Sequence, residues 1–84
     1  MKHIQYRTRG TCSTKIDFDL EDWIIRNVTF TGGCNGNLKG ISRLVEGRSA
    51  EEIAGLLTGT TCGFKNTSCP DQLARAITEA LASE

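Results

Sequence analysis

Four cysteines are the residues of this chain whose chemistry is most specific. They are Cys12, Cys34, Cys62 and Cys69, and 21, 27 and 6 residues separate them in turn. Thiolates are the ligands that structural zinc sites and iron–sulfur clusters require. None of the spacings is the C-x2-C pair of a zinc ribbon, so the spacing alone indicates a metal only weakly. The pattern predicts a metal site if the fold brings the four sulfurs together.

Three other roles for these thiols stay open. Free cysteines are often small buried hydrophobes. Cys62 and Cys69, with six residues between them, could cycle through a disulfide, and two disulfides would suit a secreted protein.

The first seven residues lack the apolar segment of a secretory signal, and no run approaches the roughly 20 apolar residues of a membrane span. We therefore expect a cytoplasmic location, where thiols stay reduced.

Alternating side chains predict three strands in the first part of the chain. Ile4, Tyr6 and Thr8 alternate with polar residues, and Ile16, Phe18 and Leu20 do the same. Residues 21–22 are predicted to form a tight turn. Residues 23–30 are rich in β-branched and aromatic side chains, but the alternation slips at residues 26–27, which predicts a β-bulge.

Capping residues and apolar periodicity predict three helices in the rest of the chain. Asn37 is the predicted N-cap of the first helix and Gly47 its C′ residue. Ser49 with Glu52, and Ser68 with Asp71, are capping signals for the second and third helices. The predicted inward-facing residues are Leu38, Ile41, Leu44, Val45, Ala50, Ile53, Leu56, Leu57, Leu73, Ile77, Ala80 and Leu81.

These elements predict a single α+β domain, residues 1–84, in which a three-stranded antiparallel meander is followed by three helices packed on one face. Direction reverses twice in a meander, so the ends of the first and third strands lie at the same edge of the sheet. That places Cys12 near Cys34. If the last helix begins at this edge, Cys69 joins them and Cys62 is within reach.

Composition argues against several other functions. Ten basic and ten acidic residues cancel, and five aromatics are spread along the chain, so we expect no nucleic-acid or membrane partner. His3, the only histidine, is predicted to be a surface residue. The glycine-rich residues 32–37 could bind a phosphate or nucleotide weakly, but they lack the Lys-Ser/Thr of a P-loop.

Residues 67–71 read Thr-Ser-Cys-Pro-Asp, and residues 31–40 form a second block, TGGCNGNLKG. With these two blocks the chain resembles the TSCPD domain family from Tyr6 to Leu81. The same domain occurs at the C-terminus of adenosylcobalamin-dependent ribonucleotide reductases as a zinc- or metal-binding appendage. The resemblance implies a link to deoxyribonucleotide synthesis and a ribonucleotide reductase as partner. We expect the isolated chain to be an accessory domain, since the barrel and radical cofactor of a reductase do not fit in 84 residues.

The chain is also similar, more distantly, to U-type iron–sulfur cluster scaffolds. Cys12, Cys34 and Cys69 fall where that family has cysteines, after the first strand, after the third and at the start of a late helix. Thr14 replaces the family's acidic residue, and Cys62 is additional. A fourth thiolate favours a closed site with Zn²⁺ over an open one. An iron–sulfur cluster scaffold or carrier is the alternative function.

Overall fold

The chain folds into a three-stranded antiparallel sheet followed by three helices. The computed structural model describes residues 2–11, 13–33, 35–60 and 67–82. The sheet has the order β1-β2-β3, which confirms the predicted α+β meander. The elements are β1 (Lys2–Arg7), β2 (Ser13–Glu21), β3 (Ile24–Gly32), α1 (Asn35–Val45), α2 (Ala50–Leu57) and α3 (Cys69–Ala82).

The central strand β2 supplies the middle of the core. Ile16, Phe18 and Leu20 are buried on one face of the sheet, while the intervening Asp17 and Asp19 lie on the other. This is the alternation that the sequence predicts, because successive side chains of a strand point to opposite faces. All three helices contribute apolar side chains to the same core, among them Val45, Ala50, Ile53, Leu73 and Ile77.

The turn between β2 and β3 differs from its prediction by one residue. Asp22 and Trp23 both have positive φ angles, 51° and 67°, which is the backbone of a two-residue type I′ hairpin loop. Trp23 was predicted to begin the third strand, and that prediction is wrong. Its side chain is 53% exposed, because a residue in the loop is not constrained to face the core.

The predicted β-bulge in β3 is confirmed. Asp19 pairs with Arg26, but Asp17 pairs with Thr29, so β3 carries one residue more than β2 between these pairs. Asn27 has φ +56°, and its side chain donates a hydrogen bond to Asp19. The bulge keeps apolar residues on the core side of β3 before and after it.

The helix boundaries confirm two capping predictions and correct one. Gly47 has φ +77° just beyond α1, as expected of a C′ glycine, and Ser49 caps α2 by accepting the Glu52 N–H. Asn37, in contrast, lies inside α1, which already begins at Asn35. The intervening Gly36 costs a helix only about 1 kcal/mol, so it does not stop the first turn from forming.

Two leucines predicted to be buried are exposed. Leu44 in α1 is 71% exposed and Leu56 in α2 is 65% exposed. Each lies six positions after a buried residue, Leu38 and Ala50 respectively. At about 100° per residue, the sixth position falls roughly 120° from the first around the helix. The seventh position, Val45 or Leu57, returns to the core.

No helix within the described residues is long and apolar enough to cross a membrane.

Candidate metal centre

The last helix begins after Ser68, which caps it through both its side chain and its carbonyl group. The Ser68 hydroxyl accepts a hydrogen bond from the Asp71 N–H at 3.2 Å, and the Ser68 carbonyl accepts the first helical bond from the Gln72 N–H at 2.8 Å. The same hydroxyl donates to the carbonyl oxygen of Thr60 at 2.7 Å. The cap therefore fixes both the start of α3 and the chain segment that follows α2.

Cys69 is the first residue of α3, and its side chain is buried. Its Sγ lies 3.0 Å from the hydroxyl oxygen of Ser13, the first residue of β2. Ser13 is itself buried, and its carbonyl accepts hydrogen bonds from the hydroxyls of Thr8 at 2.5 Å and Thr11 at 3.1 Å. A helix N-terminus, and a neighbouring hydroxyl that can donate to the sulfur, both favour a negatively charged thiolate. The position therefore suits a metal-binding thiolate.

Asp71 is a buried carboxylate, 2% exposed, with three hydrogen-bond donors. The Gly59 N–H donates to its Oδ1 at 2.7 Å. The Thr67 hydroxyl and the Arg75 Nε, the latter at 3.0 Å, donate to its Oδ2. Burial by itself raises the pKa of Asp71, but the hydrogen bonds from Thr67 and Gly59 and the charge of Arg75 outweigh it, so the pKa lies below its usual 3.8. Asp71 thus ties the end of α2 to the start of α3.

Gln72 connects α3 to the loop between β1 and β2. Its Oε1 accepts from the Arg9 N–H at 3.2 Å, and its Nε2 donates to the Thr67 hydroxyl at 3.0 Å. Gly10 comes so close that a Cβ there would lie 3.3 Å from the Thr67 side chain, and its φ of +73° also favours glycine. Sequence reasoning missed Gln72 and Thr67, because polar residues near a helix start resemble ordinary capping residues.

The buried polar groups at this helix start are fully paired. Within the described ranges, every buried side-chain nitrogen and oxygen has a hydrogen-bond partner. We call the set Thr67, Ser68, Asp71 and Gln72 the α3 clamp. It holds the β1–β2 loop and the segment after α2 against one helix N-terminus.

Comparison with known protein families assigns the chain to one of them. The model of the TSCPD domain matches residues 1–81. The chain belongs to the TSCPD domain family. Neither a curated protein nor a solved structure is significantly similar to it. The resemblance to the U-type scaffold fold therefore stays a prediction.

The structure gives a role to four of the five residues that name the TSCPD domain. Thr67 donates to Asp71 and accepts from Gln72, Ser68 caps α3, Cys69 presents its sulfur to Ser13, and Asp71 accepts from the loop after α2. Pro70 occupies the first turn, where its missing N–H had no intrahelical partner. Three of the five build the α3 clamp around the cysteine.

Three of the four predicted ligands of the TSCPD domain, Cys12, Cys34 and Cys62, lie outside the described residues. Only Cys69 can be placed. Among the side chains that the structure describes, no group of three or more His, Cys, Asp or Glu is positioned to hold a metal ion. A site with three or more protein ligands at Cys69 therefore needs residues beyond that part of the chain. The four-cysteine site stays a prediction.

Each of the other three cysteines has a described residue one or two positions away in the sequence that lies near the N-terminus of α3. Ser13, which follows Cys12, contacts Cys69. Gly32, two residues before Cys34, pairs with Ser13 across the sheet. Thr60, two residues before Cys62, accepts a hydrogen bond from Ser68.

His3, the only histidine of the sequence, is a surface residue as predicted. Its Nδ1 lies 2.7 Å from Asp19 Oδ1 and its Nε2 3.4 Å from Asp17 Oδ1. The hydrogen bond to Asp19 raises the pKa of His3 above 6.5. The predicted weak anion site at residues 32–37 includes Cys34, outside the described residues, and stays a prediction.

Proposed function

We propose that this TSCPD domain is a small metal-binding accessory module in which Cys12, Cys34, Cys62 and Cys69 hold one Zn²⁺ ion. One observation carries the proposal: the described sequence neighbours of the other three cysteines converge on the helix start that presents Cys69. Consecutive Cα atoms are 3.8 Å apart, so a residue one or two positions from such a neighbour can extend at most about 8 Å from it.

The donor set fits zinc. Four thiolates form a closed tetrahedral site, which is typical of structural zinc. When bound, the ion would cross-link the β1–β2 loop, the β3–α1 connection and the segment before α3. Such a link suits a small domain, because a chain of 84 residues buries only a thin core.

The chain's own residues would position the ligands. The Ser13 hydroxyl can donate to the Cys69 sulfur, and the hydrogen bonds of outer residues to ligand atoms orient metal sites. Asp71 and Gln72 would hold the two flanking segments in place before the metal arrives.

Metal analysis of anaerobically purified protein tests the proposal. We expect about one zinc per chain and loss of the metal in Cys69→Ser, because a ligand thiolate is replaced by a weak hydroxyl donor. Ile77→Val is a matched control: it removes one buried methylene from α3, costs about 0.5–1.5 kcal/mol and leaves the sulfurs unchanged. Protein without metal, in which all four thiols react with an alkylating reagent, would contradict the proposal.

The TSCPD family also supports a ribonucleotide reductase as partner, and with it a link to deoxyribonucleotide synthesis. Binding of the purified domain to an adenosylcobalamin-dependent reductase from the same organism, measured by calorimetry, tests this. We expect saturable binding that weakens in Cys69→Ser if the metal shapes the contact surface. Absence of binding by metal-loaded domain would refute the partnership and leave the metal proposal standing.

An iron–sulfur cluster scaffold or carrier is the second candidate. The confirmed element order favours it, because Cys12 falls between β1 and β2, Cys34 between β3 and α1, and Cys69 at the start of α3, as the resemblance implies. Brown protein with iron and sulfide, and visible absorption lost in Cys69→Ser, would establish this candidate. Colourless zinc protein that accepts no cluster would exclude it.

A further inference from the structure

We propose that a groove between β3 and α1 binds a small organic anion with an apolar body. None of its described lining residues is a cysteine, although one of them, Gly32, lies two residues before Cys34 in the sequence. Its lining includes Val28, Phe30, Leu38, Lys39, Ser42 and Arg43, and we call it the β3–α1 groove. Its volume is about 500 Å³, within the range of roughly 300–1,000 Å³ of small-molecule sites.

Backbone hydrogen bonds join the start of β3 to the residues that follow α1. The Gly47 N–H donates to the Ile25 carbonyl at 2.8 Å, and the Ile25 N–H donates to the Arg48 carbonyl at 2.9 Å. These bonds hold the strand close to the C-terminal end of the helix. The volume of the groove suits a compact ligand.

Helix α1 supplies an excess of positive charge to the groove. Its eleven residues include Lys39 and Arg43 and no carboxylate. Neither cation forms an ion pair with any residue in the described part of the chain, whereas Arg26, Arg48 and Arg75 each do. Like charges four positions apart on a helix are mildly unfavourable. An anion between them would remove that repulsion.

Glu46, the acidic residue nearest to Lys39 and Arg43 along the chain, already interacts with residues of β3. Glu46 follows α1, and its carboxylate lies 3.6 Å from the Arg26 guanidinium and accepts from the Asn27 N–H at 2.8 Å. Arg43 also complements the negative end of the helix dipole, but Lys39 lies in the middle of α1, where that effect has faded. The helix dipole thus leaves Lys39 unexplained.

The lining specifies the two parts of the ligand. A phosphate or carboxylate would lie between Lys39 and Arg43, since a guanidinium binds such oxygens in pairs and an ammonium acts as a point charge. Val28 and Leu38 are buried and Phe30 is partly buried, so an aromatic or aliphatic body would pack against apolar side chains. Neither part alone should bind well.

Phenyl phosphate is a suitable probe, with inorganic phosphate and benzyl alcohol as the half-ligands. We expect saturable binding of phenyl phosphate with a Kd on the order of millimolar for so small a molecule. Amide chemical-shift changes in two-dimensional NMR should concentrate on the stretches that line the groove, residues 28–32 and 38–43. Each half-ligand should bind at least about tenfold more weakly.

Variants decide whether the cations carry the binding. Arg43→Gln and Lys39→Gln should each weaken phenyl phosphate binding about tenfold, the typical loss of one charge-assisted hydrogen bond. Arg7→Gln, which neutralises an exposed arginine on β1, is the matched control and should bind as the unchanged protein does. Absence of saturable binding, shifts mapping elsewhere, or equal affinity in all three variants would overturn the proposal. Thermal denaturation confirms that each variant is folded.

Discussion

Helices α2 and α3 begin with the same local signature but in different surroundings. Ser49 accepts the Glu52 N–H at 3.3 Å, and Ser68 accepts the Asp71 N–H at 3.2 Å. In both, a serine is followed three positions later by an acidic residue. The acidic residue at α2, Glu52, is exposed and forms an ion pair with Arg48, at 3.3 Å, in the same stretch of chain. Its counterpart at α3 is buried.

Burial changes what the acidic residue does. Asp71 accepts from Gly59, which is twelve positions earlier in the chain, and from Thr67 and Arg75. The capping serine at α3 likewise reaches beyond its own helix, to Thr60. One signature therefore produces a local surface cap in α2 and a junction between separate segments in α3. The candidate ligand Cys69 lies at the junction.

The largest difference should come from neutralising the acidic residue. Asp71→Asn replaces an acceptor oxygen by an NH₂ group that faces hydrogen-bond donors, and should lower the free energy of unfolding by about 2–3 kcal/mol. Glu52→Gln is the matched control and should change it by less than about 0.5 kcal/mol, as is usual for an exposed ion pair. Urea denaturation at equal metal content measures both. Equal losses in the two variants would show that burial of Asp71 adds nothing.

A smaller difference should come from removing the capping hydroxyls. Ser49→Ala should cost about 1 kcal/mol, the typical cost of a lost N-cap. Ser68→Ala should cost about 2 kcal/mol, because the Thr60 carbonyl also loses its donor. Hydrogen exchange should accelerate at the Asp71 amide in the latter variant. If Ser49→Ala lowers the free energy of unfolding more than Ser68→Ala does, the contact between Ser68 and Thr60 adds no stability to the α3 cap.

The smallest effect should come from a polar pair on the outer face of the sheet, His3 with Asp19. The pKa of His3 is raised, so its contribution to stability is complete below pH 6.5 and is lost as the pH rises through the folded-state value. The pKa of Asp19 is lowered from 3.8 by hydrogen bonds from Asn27 and His3, so its contribution is lost as the pH falls below that range. Melting temperature should therefore decline slightly from pH 6 to pH 8. His3→Gln should remove this decline, and a decline that persists in the variant would assign it to other groups.

Much of the fold could be predicted because its rules are local. The alternation of Ile16, Phe18 and Leu20 defines the inner face of β2, and its disruption near Asn27 locates the bulge. The errors arose where a local pattern allows two outcomes. Leu44 and Leu56 lie at the margin of their apolar stripes, and only the packing of each helix on its neighbours decides whether such a side chain is covered.

The candidate site could be predicted only in part. Cys69 and its capping serine were recognised from residue types and order, but the contacts of Gln72 with Arg9 and of Asp71 with Gly59 join residues 63 and 12 positions apart. No periodicity or capping rule relates residues so distant. Their partners follow from how the loops pack on α3.

The amino-acid sequence by itself determined the order of strands and helices, three of the four predicted caps and the family, since each depends on neighbours within a few residues or on a short motif. Only the tertiary structure decided that one of two equivalent helix starts is buried, and that the two cations of α1 lie beside an apolar groove. Burial depends on how the elements pack together. It is burial that lets Asp71, at a common capping position, form hydrogen bonds with separate segments of the chain beside Cys69.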